Sequence, residues 1–398
     1  MQFRKIRNIF LCLAILSVVS LISFRIGQGY IVVNKDPLNL SLMWKVKDKL
    51  SQIYLDQDKI KKEDMEYGAI KGMVASLDDP YTVFLSPKEN KSSNEDLTGE
   101  FGGVGISLGY KDKTLAVMTT LSGTPAEKAG IKTNDLILKI TDKKKNIERD
   151  TTGISLSEAV ELIRGEIDTE VTLNMYREGK AAAYDVVLKR DNIVVASVEL
   201  EWKKINDKKV AWVKLNKFTE KLFDEWPEIV NQIKQGEGSD FGGIVLDLRN
   251  NPGGYLQASV LVASDFIKDG VIVKQQSSNG LIEEYKVDKS RNKLLDEKLV
   301  VLVNGGSASA AEILAGALKD YNRGKLVGEK TFGKGTVQQP EDFSDGSGLH
   351  ITVAKWLLPN GANIHNVGIM PDIEVKNSDD INSNEDLQLN KAIEVLNE

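Results

Sequence analysis

Two stretches of the chain hold residues whose types and spacing allow nucleophilic chemistry. The first, "VNGGSASAAEILAGALKD" at residues 303–320, sets Ser309 between a β-branched run and a helical pattern, with Ala308, Ala310 and Ala311 leaving its hydroxyl approachable. A serine at a helix start is favoured as an N-cap and needs no partner in that role. The same position lies beside free N–H groups at the positive end of the helix dipole, where a developing oxyanion is stabilised. Ser307 is the local competitor. A serine nucleophile also needs a group to take its proton, and the chain has only two histidines to offer. His350 falls on an alternating strand in "GLHITVAKW" and His365 in a loop, "NIHNVGI"; neither has an obvious acid beside it in sequence.

The second stretch, "GEKTFGKGTVQQ" at residues 328–339, places Lys334 between Gly333 and Gly335. A glycine-flanked lysine is commonly a solvated turn. Buried against Ser309, however, its pKa falls, and a neutral amine is a competent general base. Gln338, four residues further on, carries an amide able to hold that amine. Gly328, Gly333 and Lys334 also match G-x-x-x-x-G-K, but Gly335 replaces the required hydroxyl and the chain continues as a strand, which removes a nucleotide-binding reading.

These residues need a frame. After Arg190 strand and helix patterns alternate, through "KVAWVKLNKF", "FGGIVLDLRNNPGG", "YLQASVLVASDFI" and "KLVVLVNGGSASAAEI", which predicts an α/β core with its loops gathered at strand ends. From Leu97 to Arg190 the pattern is short strands with one helix, "SLSEAVELIRG", having Ser157 near its start and Gly165 as its stop. A glycine turn at Gly102, Gly103, Val104 and Gly105 leads into a strand at Ile106. Successive N–H groups at such a turn form a nest for an anion, and the strand offers an edge to an extended peptide.

Composition bounds the rest. With 398 residues and 41% hydrophobic content the chain can bury a sizeable core of two or three domains. A net charge of −6 gives no basic field for nucleic acid, and one cysteine, Cys12, leaves neither a disulfide framework nor a Cys/His zinc cluster. Arg4, Lys5 and Arg7 precede an uncharged run from Ile9 to Phe24, read as an uncleaved anchor with its positive flank inside and everything after Arg25 extracytoplasmic. Leu40, Met43, Val46, Leu50 and Ile53 recur at helical spacing, as do Ala69, Ile70, Met73, Val74 and Leu77. Those two helices either pack on their own domain or form a dimer arm.

Six motifs in order, "DDPYTVFLSPKE", "TGEFGGVGI", "DLRNNPGG", "VNGGSASAAEI", "GEKTFGKGTVQ" and "GANIHNVGIMPD", resemble the carboxyl-terminal processing peptidases, the PDZ-containing tail-specific serine proteases. The resemblance runs from about residue 37 to the end. It implies a crotonase-like α/β protease core with an inserted PDZ domain and a helical N-terminal arm. It also implies a Ser-Lys dyad at Ser309 and Lys334 supported by Gln338, and an oxyanion hole from backbone N–H groups at Gly253, Gly254 and Ala310. Peptide carboxylates are then expected at Gly102, Gly103, Val104, Gly105 and Ile106, and Arg164, at the end of the PDZ helix, is a candidate gate. The expected division is an anchor at 1–27, a helical region at 28–96, a PDZ-like domain at 97–190, a protease core at 191–378 and a C-terminal helical tail at 379–398. The implied partners are peptide or protein substrates with free C-termini, the membrane through the anchor, and a second copy in a homodimer; no metal, cofactor or nucleic acid is implied. Rival readings are a PDZ scaffold with a dead core, which would require loss of Ser309 or Lys334, and an acyl-CoA enzyme of the same core fold, which has no use for a peptide-binding module.

Overall fold

The run Leu299–Val303 has no polar position because both of its faces are covered. Leu299, Val301 and Val303 join Ile244 and Leu246 in one core, while Val300 and Leu302 join Val210, Val245 and Val327 in another. Continuous apolar strands of this kind belong to parallel sheets buried on two sides. The sheet orders the strands Val198–Ile205, Lys208–Leu215, Phe241–Asp247, Leu299–Val303, Lys325–Gly328 and Ile373–Glu374, the first pair antiparallel and the rest parallel. The helices Leu222–Gly236, Leu256–Phe266 and Ala310–Asp320 cover the first face with Trp226, Val262 and Leu314. The helix Leu387–Asn397 covers the other with Leu389, Ala392, Ile393 and Leu396.

A second sheet carries the other half of the site. Val83–Leu85, Gly348–Leu357, Val271–Ser277 and Ile282–Lys286 pair in that order, and Thr336–Asp342 pairs with Gly348–Leu357. A register shift between Val337 and Gln338 places Gln338 opposite Thr352.

Residues 102–188 lie mostly in a third sheet, ordered Ile106–Lys111, Thr114–Thr120, Leu136–Asp142, Glu170–Tyr176 and Tyr184–Lys189, with Ile147–Asp150 beside the third of these. Ile106–Lys111 is an edge strand, open on one side. The helix Leu156–Ile163 is capped by Ser155, whose hydroxyl accepts from Glu158 N–H at 3.1 Å. Its far end is held by Arg190, which is buried, pairs with Asp142 at 2.9 Å and donates to the Leu162 and Ile163 carbonyls. A guanidinium on the last carbonyls of a helix satisfies acceptors that have no partner within it.

The computed structural model describes residues 39–376 other than 112, 122 and 206, and residues 385–398. Toward the N-terminus it contains the helices Ser41–Ile53 and Lys62–Ala75, and the apolar residues Leu42, Met43, Trp44, Val46, Leu50 and Ile53 of the first are exposed. The expectation of a membrane-anchored, extracytoplasmic protein is corrected: no helix among the described residues is long and apolar enough to cross a membrane. The run proposed as the anchor, residues 1–27, lies outside the described residues.

Candidate active site

Ser309 is the residue before the helix Ala310–Asp320 and has φ +55° and ψ −116°, a backbone conformation that non-glycine residues seldom adopt. Strain of about 1–3 kcal/mol at such a residue persists only where its surroundings enforce it. Three sets of contacts do so here. Ser309 N–H donates to Glu312 Oε2 at 2.9 Å. The preceding loop is laced to the loop after Phe241–Asp247: Ala308 N–H donates to Asn251 O, Asn250 N–H to Asn304 Oδ1, and the Asn304 amide to Asn250 Oδ1. Gly253 closes the third side, packed so tightly that a Cβ there would stand 2.7 Å from Ser309 Cβ. Ser307, the local competitor, is fully buried and its hydroxyl is spent on the Leu248 carbonyl at 2.7 Å, so that of these two serines it is Ser309 that lines the cavity.

Lys334 arrives from the opposite side, where the loop after Lys325–Gly328 turns into the strand Thr336–Asp342. The residue that brings it in is Glu312. This carboxylate is fully buried and accepts from Ser309 N–H and Lys334 N–H through Oε2, both at 2.9 Å, and from Gly333 N–H and the Thr331 hydroxyl through Oε1. Sequence reasoning overlooked Glu312, although Ser309-x-x-Glu312 has the spacing of a capping box and could have drawn attention to it. The lysine side chain is half-buried, lies 5.2 Å above the Tyr81 ring, and its Nζ has no hydrogen-bond partner among the described residues. Burial lowers its pKa below the ordinary lysine value, with the Asp79 carboxylate opposing.

Ser309, Lys334 and Gln338 line one cavity of about 500 Å³ together with Gly253, Gly254 and Ala310. Gln338 donates its amide to the hydroxyls of Thr336 at 3.0 Å and Thr352 at 3.2 Å, not to Lys334. Of the three expected oxyanion donors, Gly253 N–H is already committed to Asn251 Oδ1 at 2.9 Å. The N–H groups of Gly254 and Ala310 have no acceptor among the described residues, and both open onto the cavity wall.

Neither histidine bonds to Ser309 among the described residues. His350 lines the cavity with its Nε2 buried and unpartnered, and its pKa is lowered first by burial and then by the charge of Lys334, against Asp342. His365 accepts a long bond from Gly335 N–H at 3.4 Å and meets the Tyr81 ring edge-on at 5.9 Å.

The remaining predicted residues lie in the PDZ-like part. Gly102 and Gly103 pair with Asn192 and Asp191, and the Gly102 carbonyl accepts from Gly165 N–H, so these two glycines serve the fold. Val104 and Gly105 follow with N–H groups that find no acceptor among the described residues, directly before the edge strand at Ile106. Gly105 has φ +78° and sits where a Cβ would run into Thr124. Arg164 stacks over Phe101 at 3.8 Å and pairs at 3.0 Å with Asp96, itself part of the cavity lining around Ser309.

The model of peptidase family S41 matches residues 209–375, that of the PDZ domain residues 102–188, and that of the activating protease CtpB N-terminal domain residues 34–89. The chain is 38% identical over 335 residues to the carboxy-terminal processing protease CtpA of Bacillus subtilis (strain 168), covering 83% of this chain and 69% of that one. A CtpA-like serine protease of Staphylococcus aureus (strain MSSA476) is 38% identical over 378 residues, covering 91% and 70%. Among solved structures, the photosystem II D1 C-terminal processing protease is 30% identical with a TM-score of 0.53, over 91% of this chain and 98% of its own. An α/β core, an inserted PDZ domain, a helical N-terminal arm and this degree of identity lead to one conclusion: the chain belongs to peptidase family S41, among the carboxyl-terminal processing serine proteases.

Proposed function

We propose that Ser309 is the nucleophile of this protease and Lys334 its general base. The observation that carries the reading is the single Glu312 oxygen that accepts from the backbone N–H of both residues, which fixes the two loops against each other at the mouth of one cavity. Lys334, as the neutral amine, takes the proton from Ser309 Oγ while that oxygen attacks the peptide carbonyl. The N–H groups of Gly254 and Ala310 receive the negative charge that develops on the carbonyl oxygen. The Lys334 ammonium then protonates the departing amine, and a water repeats the sequence to release the acyl group. Gln338 keeps its carbonyl oxygen free to accept from that ammonium, its nitrogen being held by Thr336 and Thr352.

Substrate selection falls to the PDZ domain. The Val104 and Gly105 N–H groups take the terminal carboxylate, and the peptide adds to the edge strand Ile106–Lys111. Arg164 and Asp96 connect the end of the PDZ helix to the cavity and act as the gate. The exposed apolar stripe of the helix Ser41–Ile53 is the arm through which two copies associate. The test uses two peptides of one sequence, one with a free carboxylate and one amidated, added in trans to hydrolysis of a reporter substrate. The free acid is expected to alter turnover and the amide to do so far less; equal effects would remove the PDZ domain as selector.

A further inference from the structure

One cation in the cleft has no role in the reaction described above. Lys217 follows the strand Lys208–Leu215 and precedes Phe218, whose N–H donates to Gly253 O at 3.0 Å and whose carbonyl accepts from Tyr255 N–H at 2.8 Å. Its backbone is thereby fixed against the glycine loop that packs on Ser309. The side chain is half-buried, lines the same cavity as Ser309 and Lys334, and its Nζ forms no hydrogen bond or ion pair among the described residues.

Apart from the phenols Tyr255 and Tyr285, the other ionisable side chains lining that cavity are Asp96, Lys334 and His350. Asp96 is paired with Arg164 at 3.0 Å. Lys334 must be neutral to act as the base, and burial, the first cause, lowers the His350 pKa below its ordinary value and so disfavours the imidazolium. Lys217 is then the cation left without a fixed counter-charge among the described lining residues. Gln257 and Gln275, which share the wall, bring no charge. Burial lowers the Lys217 pKa, Asp96 opposes this and Arg164 adds to it. A carboxylate brought into contact reverses that shift, because an opposite charge a few ångströms away favours the ammonium.

We propose that Lys217 is a specificity-determining residue, which receives an acidic side chain of the substrate close to the scissile bond, so that the enzyme prefers Asp or Glu there over the amides. The proposal rests on the reading of Ser309 and Lys334 as the catalytic pair. It is separate from recognition of the substrate's C-terminus, since Lys217 lies in the core beside the glycine loop and the nest lies at Val104 and Gly105.

The experiment starts from a peptide of β-casein that the full chain cleaves and places Glu or Gln, in matched pairs, at each position flanking the scissile bond. At one position the wild type is expected to favour Glu by about tenfold in kcat/KM, the order of effect that close charge pairs across an interface produce. Raising the salt should shrink the preference. Lys217→Met should bring the ratio to about one while keeping turnover of the Gln peptide, and Lys217→Glu should favour a Lys peptide over its Glu partner. The wild-type ratio needs no variant and stands even where a variant misfolds. If turnover is abolished by Ser309→Ala but no position distinguishes Glu from Gln, or if Lys217→Met leaves the preference intact, the assignment of Lys217 is overturned and the catalytic pair stands. If Ser309→Ala retains turnover, the catalytic pair fails first and the Lys217 proposal goes with it.

Discussion

Ser309 and Lys334 donate their backbone N–H groups to the same oxygen, Glu312 Oε2, at 2.9 Å each. On the proposed mechanism the carboxylate is therefore a positioning residue: it touches no reacting atom, yet it sets where the proposed nucleophile and base enter the cavity. Its other oxygen serves Gly333 N–H and the Thr331 hydroxyl, so no lone-pair site is idle in a fully buried place.

Glu312→Gln turns one of those two acceptors into an NH2 that faces two donors. Hydrogen bonds to a charged group contribute about 1.5–3 kcal/mol each, so the variant should lose on the order of 3 kcal/mol of stability. The kcat should fall more than tenfold with KM little changed, because substrate contacts are untouched while the base is displaced. Denaturant unfolding and steady-state kinetics on the same preparation check this; wild-type kcat in Glu312→Gln would remove the positioning role.

Gly253→Ala tests the wall behind the proposed nucleophile, Ser309. The new methyl would lie 2.7 Å from Ser309 Cβ, 2.8 Å from Ala308 O and 2.9 Å from Ala310 N, at a backbone φ of +99°. The shift needed to relieve these contacts carries Ser309 and the Ala310 N–H away from the carbonyl they must meet. A loss of about a hundredfold in kcat is expected, comparable to deleting an oxyanion donor. Circular dichroism should show the sheets intact. Retention of most of the activity would show that the loop has room the distances deny.

Arg164→Ala separates the PDZ domain from the core. Its ion pair ties the PDZ helix end to Asp96 of the cavity lining, and its stack on Phe101 holds it there. The variant should still bind a free-carboxylate peptide in a titration, while that peptide no longer changes turnover of a reporter. Unaltered activation would place the communication elsewhere.

The Lys334 pKa also makes a statement about stability. A lysine whose folded pKa lies below its unfolded value of 10.5 binds fewer protons when folded, so its cost is fully present below the folded pKa and vanishes as pH rises to the unfolded one. Lys334→Met removes that cost. Its melting temperature should exceed that of the wild type most at neutral pH and the excess should shrink towards pH 10. An excess independent of pH would mean that lost charge is not its source.

Much of this arrangement is legible in residue order. Uninterrupted β-branched runs such as Leu299–Val303 announce buried parallel strands, and the small residues around Ser309 and Lys334 announce loops with a purpose. What residue order hides are the relationships that only tertiary pairing creates. Glu312 reads as an ordinary first-turn acid, because its partners Thr331, Gly333 and Lys334 lie about twenty residues away on another strand exit. Gly253 looks like an oxyanion donor until Asn251, two residues earlier, is seen to hold its N–H. Lys217 follows Lys208, Lys209 and Lys214 in a lysine-rich stretch that reads as solvated, and only the approach of Phe218 to Gly253 and Gly254 turns it into the cleft.

The most direct test of the central claim is hydrolysis of β-casein from pH 6 to pH 10 by the wild type, Ser309→Ala and Lys334→Arg. If Ser309 is the nucleophile and neutral Lys334 the base, the wild-type rate rises with pH as the buried amine loses its proton, on a profile displaced below the ordinary lysine range. Both variants, folded by circular dichroism, show no turnover at any pH, since alanine has no hydroxyl and a guanidinium does not deprotonate. A folded Lys334→Arg enzyme that cleaves casein, or a wild-type rate that does not change with pH across this range, would contradict the account.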